Sequence, residues 1–561
     1  MSTTKSTSGF TPAVWIAAVG LVLIVAVPFA AIVLQAIFPD VGSLDFAAPF
    51  AQWPATLGDS GLLHQAFNTI VLGLGVALLT AVIALPLATA RALFRVPLAW
   101  LWDALLLVPF MIPPYIAVLG WIMTLQPRGY LQQLAGFNLA PALFSVGGVI
   151  FVIAFNTLPV VYFALSRTIA AVGPRYADAA RVFGASPARA FWRIVLPLAT
   201  PGLAGSLLLV FAMAIEEYGT PAALGRRAGF DVLVTGIDLR ISDWPIDLPG
   251  AAIMSLLLVT LSFAAFLLQR HVLARRSYVT TGGKPVANDR RPLGPYAVPV
   301  VAAFALVAFL ATGVPLLAIL ATALSKTLSG GLAWSNFGPD NFLAIGRDGA
   351  GALGALANSL LLGVATALIT GLLGAVAAYA MLKTRTRGRF LLDVLTVLPN
   401  ALPGIVVAVG LILAWNFPGL PVTPYNTPFI LLLAYCCILL PQPVRYTTAA
   451  LSQIGDNLEA AARVSGASAA WAFRRILLPL IMPSLAAAML LTFAVAAREL
   501  VASIVIAPVG MQTISTFVWK QFEQGSVGLG MAMAFLAILV TTLLPLGILA
   551  ILGRTGKFRA L

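Results

Sequence analysis

The sequence has few charged residues and almost no cysteine or histidine. Only 9% of its 561 residues are Asp, Glu, Lys or Arg, against about 25% in an average soluble protein. Cys436 and Cys437 are neighbours in an apolar run, and His64 and His271 lie far apart. These four residues therefore indicate neither a disulfide framework nor a metal cluster. The strict alternation that is typical of membrane β-strands is also missing.

Long apolar runs dominate the sequence. Apolar residues make up 60% of the chain, and many runs exceed the roughly 20 residues that cross a bilayer as a helix. The first run is too long for the apolar core of a signal peptide, so we expect a retained helix. The twelve predicted membrane helices lie near residues 14–38, 66–90, 101–125, 146–165, 201–217, 249–268, 298–324, 355–382, 391–415, 429–440, 483–505 and 528–552. The tenth is short and is predicted to continue past Pro441 with a kink.

Basic residues concentrate on one side of this predicted topology. With both termini inside, all but eight of the 33 Lys and Arg residues fall in inside loops, as the positive-inside rule requires. The predicted organisation is a first half at residues 1–270, a basic inside linker at 271–293 and a second half at 294–561.

The two halves repeat one another. Several residues of the second and third helices recur 290 residues later, namely Asn68, Thr80, Asp103, Pro109, Pro113 and Gly120 as Asn358, Thr370, Asp393, Pro399, Pro403 and Gly410. A parallel duplication places the halves about a pseudo-two-fold axis along the membrane normal, with a path between them. A scaffold without a path is the alternative. The sequence therefore predicts an all-α polytopic membrane protein of two tandem six-helix halves.

A polar stretch before the fifth helix of each half is the best-preserved part of the repeat. Residues 177–203 and 459–485 align without gaps and are identical at 17 of 27 positions. Gly184 and Gly466 are predicted to end a first short helix in the left-handed conformation, and Ser186 and Ser468 to cap a second. The second helix is expected to stop at Leu196-Pro197. An exposed helix pair present twice indicates docking of a two-fold partner, whereas a surface connector is the alternative.

These residues resemble the EAA loop of ABC importer permeases, in which Glu-Ala-Ala is followed at fixed distances by Gly and by Ile-X-Leu-Pro. Asp stands in place of Glu in the first copy, and Glu459 lies one place before the aligned Ala460 in the second. The resemblance implies a coupling helix that fits a cleft on a cytoplasmic ATPase dimer. The residues that it implies for coupling are Asp178, Ala179, Ala180, Gly184, Ser186, Phe191, Ile194, Glu459, Ala461, Ala462, Gly466, Ser468, Phe473 and Ile476.

Two fused halves look most like the permeases of ferric-iron-type importers. The resemblance implies the type I importer fold, the bacterial inner membrane, cytoplasmic termini, a periplasmic or other extracytoplasmic substrate-binding protein, and ferric iron as substrate. A phosphonate such as 2-aminoethylphosphonate, thiamine or another small solute remains an alternative substrate. A secondary transporter with parallel repeats is the alternative of another class.

We expect no enzymatic activity and no bound cofactor in this chain, with ATP and Mg²⁺ held by the partner ATPase. The Gly282-Gly-Lys284 sequence lacks the spacing of a phosphate-binding loop and follows no strand. The apolar runs also contain no nucleophile–base or metal-ligand constellation.

Ionisable residues at the outer end of the fifth helix of each half are candidates for the mouth of the path, because such groups are costly near lipid. Glu217 aligns with Glu499, and Glu216 aligns with Arg498. We hypothesise that the first two line the mouth and that the second two pair across it. Ordinary interface residues just above the bilayer are the alternative.

The pairing hypothesis predicts a specific rescue. Exchanging the charges, Glu216→Arg together with Arg498→Glu, is expected to restore transport that either single substitution abolishes. Substrate uptake by cells that express each variant measures this, and a double variant no better than the singles would refute the pairing.

Overall fold

Helices form almost all of the structure, a computed structural model that describes residues 11–172, 174–275, 290–384 and 388–554. In this part of the chain nine helices are long and apolar enough to cross a membrane, and three bent pairs bring the number to twelve. We number these spans 1 to 12 in chain order: Ala13–Ile37, Ser60–Leu93, Ala99–Met111 with Pro114–Ala135, Val146–Val172, Pro187–Glu216, Leu248–Leu273, Gly294–Leu324, Ala352–Lys383, Arg389–Ala401 with Gly404–Trp415, Pro428–Leu439 with Pro441–Ser452, Ala469–Ala496 and Val527–Ile548. The predicted all-α architecture is confirmed, including the kink at Pro441.

Short elements connect the spans. The main connecting helices are Trp53–Leu57, Ala140–Leu143, Pro174–Val182, Pro221–Gly225, Leu233–Ser242, Asp340–Gly346, Asn457–Val464, Val501–Ile506 and Ile514–Glu523. Two short strands, Phe94–Arg95 and Arg291–Pro292, pair in parallel. The predicted linker at 271–293 falls largely on residues 276–289, which lie outside the described residues.

Four spans carry a proline at the second position after a widened, π-helical turn. These turns are Val22–Ala26, Phe191–Val195, Phe309–Gly313 and Phe473–Leu477. In each case the N–H of the residue before the proline donates to a carbonyl five residues back, as Leu196 does to Phe191. A π turn interrupts the ordinary ladder, so it accommodates the missing proline donor and the proline ring without breaking the helix.

The prediction that the second loop helix stops at Leu196-Pro197 is therefore wrong. Leu196 keeps helical dihedrals, φ −66° and ψ −45°, and span 5 is one helix of 30 residues. Span 11 passes through Pro479 in the same way. Each polar loop thus continues into a membrane helix, which reaches about 45 Å in span 5 at 1.5 Å per residue.

Spans 3 and 9 are broken rather than straight. Their two parts meet at bends of 102° and 118°, next to Pro113 and Pro403. Asn156 donates to the carbonyl oxygens of Pro109 and Ile112, at 2.9 and 3.2 Å, and so satisfies groups that the first break frees. Each break therefore lies at a proline that recurs in the two halves.

Compact units of the chain do not coincide with its sequence halves. Unit 1 comprises Met1–Gly58, Ile237–Val259 and Asp340–Leu561, and unit 2 comprises Asp59–Gly236 and Thr260–Pro339. Span 1 therefore packs with spans of the second half, and span 7 packs with spans of the first. The division at residues 270 and 294 stays a prediction about the repeat.

A glycine at each of these helix crossings allows two backbones to approach. A Cβ atom added to Gly410 of span 9 would lie 2.6 Å from the carbonyl oxygen of Pro28 in span 1, within unit 1. A Cβ atom added to Gly120 of span 3 would lie 2.9 Å from the carbonyl oxygen of Pro315 in span 7, within unit 2. Small residues of this kind are typical of tight packing between membrane helices.

Candidate functional sites

The first polar loop, loop 1, has the predicted helix–glycine–helix form. Helix Pro174–Val182 ends at Gly184, whose φ is 83°. The N–H of Gly184 donates to the carbonyl of Arg181 and that of Ala185 to the carbonyl of Ala180, at 2.9 and 3.0 Å, which is a Schellman motif. Ser186 then caps the next helix by accepting from the N–H of Arg189.

The second loop, loop 2, has the same backbone. Helix Asn457–Val464 ends at Gly466, with φ 85°, and Ser468 accepts from the N–H of Trp471. A Cβ atom added to Gly184 or Gly466 would meet nothing within 4 Å. Both elbows therefore point away from their own bundles.

Large apolar side chains stand at the elbows. Val182 and Phe183 are 84% and 91% exposed, and Val464 is 91% exposed. The sequence reasoning missed all three, although an apolar residue at the same place in both copies was a visible signal. Such exposed apolar groups on a polar loop are typical of a contact surface.

Among the residues predicted to couple, exposure varies. Exposed residues are Ala179, Gly184, Ser186, Ala461, Gly466 and Ser468; intermediate ones are Asp178, Ala180, Phe191, Ile194 and Ile476; buried ones are Glu459, Ala462 and Phe473. The buried residues face their own bundle, so we assign them to the support of loop 2 rather than to its outer surface.

Loop 2 is anchored by a buried polar network. The Tyr379 hydroxyl donates to Glu459 at 2.9 Å, and Arg463 forms an ion pair with the same carboxylate. The Phe473 ring packs edge-on against Tyr379, with 4.9 Å between centroids. Lys383 at the end of span 8 donates to the carbonyl of Ile454 at 2.9 Å. These contacts tie loop 2 to span 8.

Loop 1 is anchored differently. Asp178 pairs with Arg291 and, at 3.8 Å, with Arg181. These side chains are 41–48% exposed, so the pairs are worth less than about 1 kcal/mol each. Thr89 stands where the second half has Tyr379, and its buried hydroxyl has no partner among the described residues. The acidic residue of loop 2, Glu459, thus lies one aligned position before that of loop 1, Asp178. The two loops are also anchored by different contacts.

The carboxylates after spans 5 and 11 cap the segments that follow. Glu217 accepts from the N–H of Thr220 at 2.9 and 3.1 Å, and Glu499 accepts from the N–H groups of Ala502 and Ser503 at 3.1 and 3.2 Å. Burial raises the pKa of Glu217 to about 7 and also raises that of Glu499, while the backbone donors act in the opposite direction. The predicted role at the mouth of a path stays a prediction, beside this observed capping role.

Glu216 and Arg498 belong to different units, unit 2 and unit 1. One carboxylate oxygen of Glu216 is buried and forms no hydrogen bond among the described residues. The predicted pairing of the two side chains stays a prediction.

Repeated polar side chains on spans 2 and 8 hold the segments that follow spans 5 and 11. Asn68 donates to the carbonyl of Asp231 and Asn358 to that of Gln512, each at 2.9 Å. The following hydroxyls, of Thr69 and Ser359, accept from Leu233 and Ile514 at 2.9 and 2.8 Å. Both asparagines therefore have a structural role, because they hold the segments that follow spans 5 and 11. In the described part of the chain, no group of three or more His, Cys, Asp or Glu residues could hold a metal ion.

Comparison with known proteins gives the same pattern in both halves. The sequence profile of a family described as "Binding-protein-dependent transport system inner membrane component" matches residues 73–278 and 367–555. The ferric transport system permease protein FbpB of Actinobacillus pleuropneumoniae is 25% identical over 498 residues, which cover 86% of this chain and 70% of the relative. The Fe(3+)-transport system permease protein FbpB 2 of Haemophilus influenzae is 22% identical, over 70% and 74% of the two chains. The 2-aminoethylphosphonate permease PhnV of Salmonella typhimurium is 29% identical, over 47% of this chain and 98% of its own.

Proposed function

This chain belongs to the family of inner membrane components of binding-protein-dependent transport systems, and on that premise we propose that loops 1 and 2 dock the two subunits of a separate ATPase. It is a multi-pass permease component of an ABC importer rather than an enzyme. Family membership also argues against the secondary transporter that the duplication alone left open.

Continuity between loop and span is the observation that carries the docking proposal. Each loop presents an elbow that faces open space. The helix that begins after the elbow continues as span 5 or span 11, and the segment beyond its far end is capped by a glutamate. A continuous helix transmits a displacement along its length. Movement of the ATPase subunits on binding ATP would therefore shift spans 5 and 11 and the segments beyond them. Both loops and both chain termini would lie in the cytoplasm.

Substrate delivery would occur at the opposite side. We propose that an extracytoplasmic binding protein presents substrate to the segments after spans 5 and 11, with Glu216, Glu217, Arg498 and Glu499 as candidate residues of the path. Glu217 and Glu499 would act there by fixing the backbone, because their oxygens accept from N–H groups.

Ferric iron is the substrate that we propose. The relatives named for ferric transport match over 70–86% of this chain, whereas the phosphonate permease matches 47% of it. Phosphonate, thiamine and another small solute are the alternatives.

Reconstitution tests this function. The full chain, the ATPase and the binding protein encoded beside it would be placed in proteoliposomes, and the ligand of the purified binding protein would be identified by mass spectrometry. We expect bound ferric iron, and uptake that requires both ATP and the binding protein. A bound phosphonate or thiamine would refute ferric iron as the substrate and leave the importer assignment unchanged. Uptake that needs neither partner would overturn the importer assignment.

A further inference from the structure

Beside loop 2 lies a cavity with no assigned role. It measures about 740 Å³ and opens between the end of span 8, the first part of span 9 and the second part of span 10. Its lining includes three charged side chains, those of Arg389, Asp393 and Arg445, together with polar Asn400 and Thr448. All these residues belong to unit 1.

At the corresponding place in the first half, the charges satisfy one another. Asp103 accepts from Arg91 through both Nε and Nη2, at 2.9 and 2.6 Å, and from the Tyr162 hydroxyl at 2.7 Å. These three side chains form a closed, charge-assisted network. In the first half the Asp103 carboxylate is therefore paired, and Arg290 adds a further positive charge nearby.

The second half has lost both partners of that carboxylate. Asp393 aligns with Asp103, but Met381 replaces Arg91 and Val444 replaces Tyr162. The side chains of Asp393, Arg389 and Arg445 form no hydrogen bond or ion pair with the residues that the structure describes.

Arg389 and Arg445, both exposed, give the cavity more hydrogen-bond donors than acceptors. Two guanidinium groups outweigh one carboxylate, which leaves a net positive lining. Arginine forks fit tetrahedral oxyanions and carboxylates, with two parallel hydrogen bonds to each. The Thr448 hydroxyl is buried and has no partner in the described part of the chain, although buried polar groups are normally satisfied. A bound anion would supply acceptors to all three side chains.

We propose that this cavity is a binding site for a phosphate-type anion, held by Arg389 and Arg445 with Thr448 as a further donor. The anion is either the headgroup of an anionic lipid or a soluble phosphate compound. The wall also contains Met381 and Val397, and Phe390, which is 80% exposed, so it offers apolar surface beside the charges. Basic pockets between membrane helices commonly bind anionic headgroups.

Occupation of the site would act on loop 2 only. The cavity wall includes Leu382, and the next residue, Lys383, bonds to Ile454 and Asp456 at the base of loop 2. A ligand that holds spans 8 and 10 together would stiffen that anchor. This regulatory consequence rests on the proposed function, whereas anion binding does not.

Binding is tested on the full-length protein with the double variant Arg389→Gln and Arg445→Gln. One arm counts dioleoylphosphatidylglycerol molecules retained in native mass spectrometry, with dioleoylphosphatidylcholine as the neutral comparison. The other arm measures inorganic phosphate binding by calorimetry. We expect the double variant to bind the effective probe at least about tenfold more weakly, since each lost charge-assisted bond is worth a factor of about ten.

Matched variants separate this site from general charge effects. Arg167→Gln with Arg270→Gln removes two exposed charges from the first half and should leave binding unchanged. Met381→Arg should restore the pair seen at Asp103 and abolish binding, in a protein that still elutes as folded.

Loss of the lipid alone identifies a headgroup site, and loss of phosphate binding identifies a soluble ligand. A wild-type protein that binds neither probe, or a double variant that binds as the wild type does, would overturn the proposal. Neither outcome would affect the docking assignment.

Discussion

Replacing Gly184 and Gly466 together by aspartate is expected to abolish co-purification of the chain with its ATPase. Both glycines have a positive φ, 83° and 85°, where an L-residue costs about 1–2 kcal/mol and aspartate is among the better tolerated residues. No atom lies within 4 Å of the new Cβ position, so the bundle should still fold. Each new side chain and its charge would instead occupy the proposed docking surface.

A matched pair elsewhere in the chain separates docking from strain. Gly136 and Gly510 also have positive φ values, 75° and 81°, and open space at the Cβ position. They follow the C-terminal ends of spans 3 and 11, which the predicted topology places on the side opposite the two loops. The Gly136→Asp, Gly510→Asp variant should keep the ATPase bound, as measured by affinity purification and gel densitometry. Equal association of the wild type and the elbow variant would refute docking at the loops.

Replacement of Gly410 by leucine is expected to prevent the stable assembly of unit 1. The new Cβ atom would lie 2.6 Å from the carbonyl oxygen of Pro28, and a backbone atom in a helix cannot move aside alone. Span 1 would have to separate from span 9, with a cost at or above the 1–3 kcal/mol that is typical of overpacking. Gly120→Leu should act in the same way on spans 3 and 7, because Pro315 contributes the contact there.

Fluorescence-detected size exclusion and thermal unfolding would measure the effect. Gly354→Leu is the control, since Gly354 lies inside span 8 with nothing within 4 Å of its Cβ position. We expect the control to elute and melt like the wild type, and Gly410→Leu to be recovered in much lower yield with a lower melting temperature. Wild-type stability of Gly410→Leu would show that the close crossing is not required.

Sequence reasoning reached the elements of the fold because each left a local signal. Apolar runs marked the spans, and a glycine followed by a serine marked each elbow. The helix packing left no such signal. Nothing in the neighbourhood of Gly410 indicates that its contact lies at Pro28 rather than in its own half, because the contact depends on tertiary packing.

The continuity of span 5 through Pro197 was missed for a related reason. The rule for the residue before a proline assumes an ordinary α-helical turn, and the π turn at Phe191–Val195 removes that assumption. The sequence showed only part of the difference between the anchors of the two loops. The shift from Asp178 to Glu459 could be read from the alignment, but the contact between Glu459 and Tyr379 joins residues 80 positions apart.

Site-specific crosslinking at the loop tips tests the docking claim most directly. Single cysteines would be placed at Phe183 and Val464, each 91% exposed, in a chain whose two buried native cysteines are replaced by serine. Val509→Cys, at a site that is 92% exposed beyond the other end of span 11, is the control. We expect a crosslink to the ATPase from both loop positions and none from position 509. No crosslink from either loop, or equal crosslinking from position 509, would contradict docking at the loops.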